Sequence, residues 1–249
     1  MRTIICVLTG ALLTSIAPIC GAQNYGSFVG AVVAKWLDDG RRMELTEPFS
    51  YVAPNKATWN APKGSIVDGA SIPQIAWSLI GGPFEGKYRP ASVIHDVACD
   101  EKSRPWQDVH LAFYTAMLAG GVDSIKAKVM YAAVYHFGPR WPRTVELHNV
   151  PLAQVGGLVA SIVQTADESD KRSVDIRPKP RIVWRNDGIF GTPSSEVQTE
   201  SADVSVSIIP SSPSLSARDF ELLKKGLEER DASLDEIRRY VPASTAAPR

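Results

Sequence analysis

The chain has 249 residues, enough for one good-sized domain with extensions, and 44% of them are hydrophobic, the ordinary level for a protein that buries a core. Lys+Arg and Asp+Glu each number 27, so the formal net charge is zero. That balance argues against nucleic acid as a partner, and the absence of a polybasic run argues against recruitment to an anionic membrane by a charge cluster.

The first residues, "MRTIICVLTGALLTSIAPICGAQ", carry one basic side chain, Arg2, then an uncharged apolar run, then small residues. That is the layout of a cleaved secretory signal, with cleavage after Ala22 and Cys20 at the small −3 position. Pro18 and Ile19 ahead of Cys20 argue against a lipid-modification site. The run is also short for a membrane span, which needs about 20 residues. The expectation is therefore a secreted or periplasmic protein that begins near Gln23, with no transmembrane span after signal cleavage. Cys6 and Cys20 leave with the signal, so Cys99 stays without a partner for an internal disulfide. The ordinary state of such a cysteine is buried.

Residues 25–67 read as strands, rich in β-branched and aromatic side chains and broken by "DDGR" and "APNK". At "SIPQIAWSLI" the period becomes helical, with Ser71, Pro73 and Gln74 in the positions of a capping box. Further helices are expected over Tyr88 to Asp100, Pro105 to Ala119 and Ser124 to Phe137, with a packing helix over 152–165. Residues 167–215 mix Pro and Ser without helical period and read as a disordered linker. Residues 216–241 resume helical spacing as a hairpin, with Ser216 and Ser233 as N-caps and Glu236 as the box partner of Ser233. A short tail, 242–249, follows. The fold class expected is α+β: N-terminal antiparallel strands on a bundle of three to five helices, forming a single domain over 23–166, and a flexible C-terminal tail that ends in the helical hairpin.

Helical stripes pick out the candidate site. Trp106, His110, Phe113 and Met117 recur at i, i+4, i+7 and i+11, which sets His110 inside an apolar face. Ala91, Ile94, His95 and Ala98 share a face of the preceding helix, with Cys99 beside it. Two helices joined by a short loop pack antiparallel, so His95 and His110 are candidates to face one another. His136 shares a stripe with Ile125, Val129 and Ala132. An imidazole in a mostly apolar cleft serves as a tuned base or a metal ligand, and Asp96 or Asp68 is the carboxylate that orients it or holds a cation. The candidate catalytic residues are His95, Asp96, Asp68 and His110. The candidate metal ligands are Asp96, His95 and His110, for a divalent cation, calcium or zinc. Ser71 lacks a nucleophile elbow, and its capping role accounts for it.

The run "VDGASIPQIAWSLIGGPFEGKYRPASVIHDVACDEKSRPWQDVHLAFYTAM…MYAAVYHFG" resembles the phage- and prophage-associated domain-of-unknown-function family numbered thirteen fifty-three. The family's T-D-G-A-S-x-P turn, A-x-x-x-H-D helix, S-R loop and A-D-x-x-F helix map onto Asp68, Gly69, Ser71, Pro73, His95, Asp96, Arg104 and Phe113. Val67 replaces the usual Thr, and His110 stands where the family has Asp, which favours a His–His or metal arrangement over a His–carboxylate pair. The helix pair also bears an analogy to secreted phospholipase A-two. Two functions follow as expectations. One is a His/Asp-dependent hydrolase of lipid or envelope esters. The alternative is a non-enzymatic envelope or phage-derived assembly module that uses the cluster as a core network and docks an envelope or protein partner through the C-terminal helices.

Overall fold

The computed structural model describes residues 24–69, 86–185, 194–211 and 215–240. The predicted signal, the capping-box helix at 71–80 and the tail at 242–249 lie outside these residues.

The N-terminal half folds as two small antiparallel sheets. One has the order β1 (Ser27–Val29), β4 (Phe49–Val52), β5 (Thr58–Ala61); the other has β2 (Ala34–Trp36), β3 (Met43–Leu45), β6 (Ile66–Val67). Alternation sets their inner faces: Phe49 and Tyr51 of β4, and Trp59 and Ala61 of β5, are buried while the residues between them are not.

Three helices follow. A 3-10 turn at Gly86–Tyr88 leads into α1 (Arg89–Glu101), where Pro90 in the first turn gives up no needed N–H. That helix stops at Lys102, whose left-handed φ of 51° closes the last turn on Ala98. Next comes α2 (Trp106–Ala119), which ends at Gly120-Gly121, and then α3 (Ser124–Phe137), capped by the Asp123 side chain on the Ile125 and Lys126 N–H groups. Helix α1 packs on β5 and β6 on one side and on α2 on the other, and α3 packs on α2. These limits agree with the helical periods to within a residue.

Beyond residue 142 the helix expected over 152–165 is present, but the strands on either side of it were not expected. Residues Arg143–Pro151 form β7, Leu152–Val163 form α4, and the stretch read as a disordered linker holds two long strands, β8 (Lys171–Arg185) and β9 (Ser194–Ile209). They pair antiparallel in the order β7-β9-β8. The linker reading is corrected by a period of two. In "ADVSVSII", Ala202, Val204, Val206 and Ile208 are buried and the residues between them are only partly so. Val155 of α4, with Val159, Ile162 and Val163, packs on that buried row and makes a second small core.

The helices α5 (Ala217–Glu229) and α6 (Leu234–Arg238) start at Ser216 and Ser233. Each has a complete capping box, closed by Asp219 and Glu236 respectively. They do not hang on a tether. Phe220, Leu223, Leu227 and Ile237 join the main core, and both helices pack on α3. The amphipathic period that predicted a helix also predicted an apolar face, and α3 supplies its cover.

Candidate functional site

The helix pair brings His95 and His110 together. His95 Nε2 lies 2.8 Å from His110 Nδ1 and the ring centroids are 5.1 Å apart. Phe113 packs at a tilt against His95, with ring centroids 4.7 Å apart, and Trp106 against His110 at 5.4 Å. The Cys99 sulfur, one turn along from His95, sits 3.6 Å from His95 Nε2 and 3.9 Å from its Nδ1. His95, Cys99 and His110 are 1%, 3% and 0% exposed. Gly138, just beyond α3, closes the far side: a Cβ there would meet the Val134 carbonyl at 2.2 Å and His110 Cε1 at 3.2 Å.

Burial decides the protonation of the pair. Removing an imidazolium from water is costly, so His95 is pushed down to about 3. His110 is lowered well below its ordinary value, by burial first and then by repulsion from His95 and the Arg140 guanidinium. Both rings are neutral at working pH, and one proton bridges the two facing nitrogens. His110 Nε2 is buried without a hydrogen-bond partner of good geometry, while the nearby Pro139 backbone favours the charged ring slightly.

Asp96 faces away from this pair. Its Oδ2 accepts from the backbone N–H groups of Asp68 (2.8 Å) and Gly69 (3.0 Å). The carboxylate therefore holds the "VDG" turn, in which Gly69 takes a φ of 69° that L side chains resist. Asp68 receives the Arg41 guanidinium at 3.2 Å near the surface. Of the four candidate catalytic residues, then, His95 and His110 share one cluster, while the Asp96 carboxylate is engaged by the Asp68 and Gly69 backbone on another face of α1. Among the described residues the one group of donors close enough to share an ion is His95, Cys99 and His110, all within 4.8 Å. Asp96, a ligand candidate in the sequence, is not among them. Cys99 is the member the stripes set beside the cluster without giving it a role.

Two further residues are explained by architecture. His136 Nε2 donates to the Ile237 carbonyl at 2.8 Å, tying α3 to α6. Arg104 donates to the Thr58 carbonyl at 2.9 Å and lies over the Trp59 ring, tying the α1–α2 loop to β5.

A fold of antiparallel strands and helices, centred on a sealed histidine pair between two helices, defines an α+β domain. Residues 43–134 match the family described as "Protein of unknown function (DUF1353)", which bears out the resemblance read from the motifs. The chain is 46% identical over 136 residues to "Uncharacterized protein y4jT" of Sinorhizobium fredii, a match covering 54% of this chain and 40% of that protein. It is 44% identical over 103 residues to "Uncharacterized protein y4iH" of the same organism, covering 41% and 43% respectively. The chain thus spans less than half the length of these curated relatives. No solved structure matches.

Proposed function

We propose that this protein is an exported, non-catalytic module of the cell envelope that docks on an anionic lipid surface through the β8–β9 ribbon. The observation that carries this reading is the two-faced character of β8. From Val174 onward its even positions run Val174, Ile176, Pro178, Pro180, Ile182, Trp184, an apolar row on the face that α4 covers mainly over β7 and β9. Val174, Ile176, Ile182 and Trp184 stay exposed, Trp184 at 73%, and Val197 stands opposite Ile182. The alternate positions carry Arg177, Lys179, Arg181 and Arg185. Arg177 pairs with Asp175 of the same strand, and Lys179 and Arg185 pair with Asp203 and Glu196; within β8 six cations still stand against one acid. The exposed face of α4, with Leu152 and Leu158, adds uncharged apolar surface beside the row.

An amphipathic element of this composition lies in a lipid interface. Apolar side chains enter the acyl boundary, a tryptophan sits at headgroup level, and long cationic side chains bend back to phosphates. The cations escape a search for polybasic runs because a strand spaces them every second residue. No helix among the described residues is long and apolar enough to cross a membrane, so the contact proposed is peripheral. Export is supported by the N-terminal layout. The C-terminal helices, whose apolar faces are spent in the core, do not supply the docking face.

The hydrolase reading needs substrate to reach a histidine backed by a carboxylate. His95 is sealed beside another histidine, and Asp96 holds a turn. The test is co-sedimentation of the mature chain with phosphatidylglycerol or phosphatidylcholine vesicles. Binding to the anionic vesicles is expected, falling as salt rises and lost in the double variant Ile182→Ser, Trp184→Ser. Equal affinity for neutral vesicles, or no effect of the two substitutions, overturns the docking. Ester turnover abolished by His95→Asn would restore the hydrolase.

A further inference from the structure

We infer that His95, Cys99 and His110 form a buried binding site for a thiophilic transition-metal ion, with zinc as the representative. This does not depend on the lipid docking proposed above.

The donors suit such an ion by type and by spacing. Two imidazole nitrogens and one sulfur are borderline-to-soft ligands that select zinc or copper and reject calcium, which requires a shell of oxygens. Zinc bonds of about 2.3 Å to sulfur and about 2.0 Å to nitrogen, opened to a tetrahedral angle, place S and N about 3.6 Å apart. The Cys99 sulfur and His95 Nε2 are 3.6 Å apart. The same geometry needs about 3.3 Å between nitrogens. His95 Nε2 and His110 Nδ1 are at 2.8 Å, a hydrogen bond that must open by about half an ångström as the ion replaces the bridging proton.

The proton balance closes within the site. His95 loses its Nε2 proton and carries one on Nδ1, so the ring stays neutral. His110 coordinates through Nδ1 and keeps its proton on Nε2. Cys99 releases its thiol proton to solvent as the thiolate binds. The Nε2 of His110, buried and without a partner of good geometry, is then the N–H of a metal-bound imidazole, and the adjacent Pro139 backbone is its natural acceptor.

The experiment refolds the mature chain with Co2+ or Zn2+ as the probe. One equivalent of Co2+ is expected, with the near-ultraviolet charge-transfer band of a thiolate ligand. Cys99→Ser should abolish that band and weaken binding at least about tenfold, while His148→Asn, on an exposed strand position, should change neither. The wild-type melting temperature should rise with Zn2+ concentration, a readout that stands even where a variant folds poorly. Absence of stoichiometric uptake, a thiolate band that survives Cys99→Ser, or a melting temperature indifferent to Zn2+ overturns the site.

Discussion

His95 and Asp96 are neighbours in the chain and work with different partners on different faces of α1. His95 meets the next helix, and Asp96 holds the turn that ends the β-strand region. The helical stripes made the first half of this legible, because 100° per residue fixes which side chains share a face. The second half was hidden. The partners of Asp96 are backbone N–H groups 27 and 28 residues earlier, and no side-chain pattern announces a backbone donor. Removing that acceptor leaves two N–H groups without their carboxylate, so Asp96→Ala should cost about 2–4 kcal/mol in urea unfolding. His136 makes a different prediction. Burial lowers it to about 4 from the ordinary 6.5. Between those values the unfolded chain binds the proton and the folded chain does not, so acid favours unfolding. The His136 share of stability should fall as pH drops through 6.5 and level off near 4, while the loss from the buried helix-pair histidines starts in the same range and continues below it. Urea midpoints at pH 7 and pH 5 measure it. His136→Gln should flatten the His136 share of the loss.

At the scale of elements, the helices of residues 88–137 could be read because caps, glycine stops and apolar period agree there. The ribbon could not, because its prolines spoke louder than its alternation. Pro178 and Pro180 suggest a linker, yet β8 is an edge strand, where alternate N–H groups point away from the sheet and a proline removes nothing needed. The one irregularity, a register shift between Lys179 and Pro180, falls where the prolines are. The hairpin α5–α6 was read correctly as helix and wrongly as a tether. Ile237 is completely buried against the main core, so Ile237→Ala should destabilise the whole protein by about 3 kcal/mol rather than merely loosen a tail. A single unfolding transition that shifts as a unit would show it.

Over the whole molecule, the sheet of β7, β8 and β9 has its own small core and joins the larger one through a few polar contacts. Tyr135 donates to Asp167 at 2.6 Å, and Arg140 reaches from over the Trp106 ring to the Ser211 carbonyl at 3.2 Å. The larger core is completed by residues far along the chain. The His136 contact to Ile237 spans 101 positions, and that of Tyr131 to Arg238 spans 107. This sets an order of events during synthesis. A ribosome must add about a hundred residues after α3, at roughly 5–20 per second, before the helix that covers it exists. Until then the growing chain keeps an open apolar face and cannot close its main core. For the exported chain proposed above, that delay is useful: a polypeptide that folds only once residues 217–238 are made is still loose enough to be threaded across a membrane.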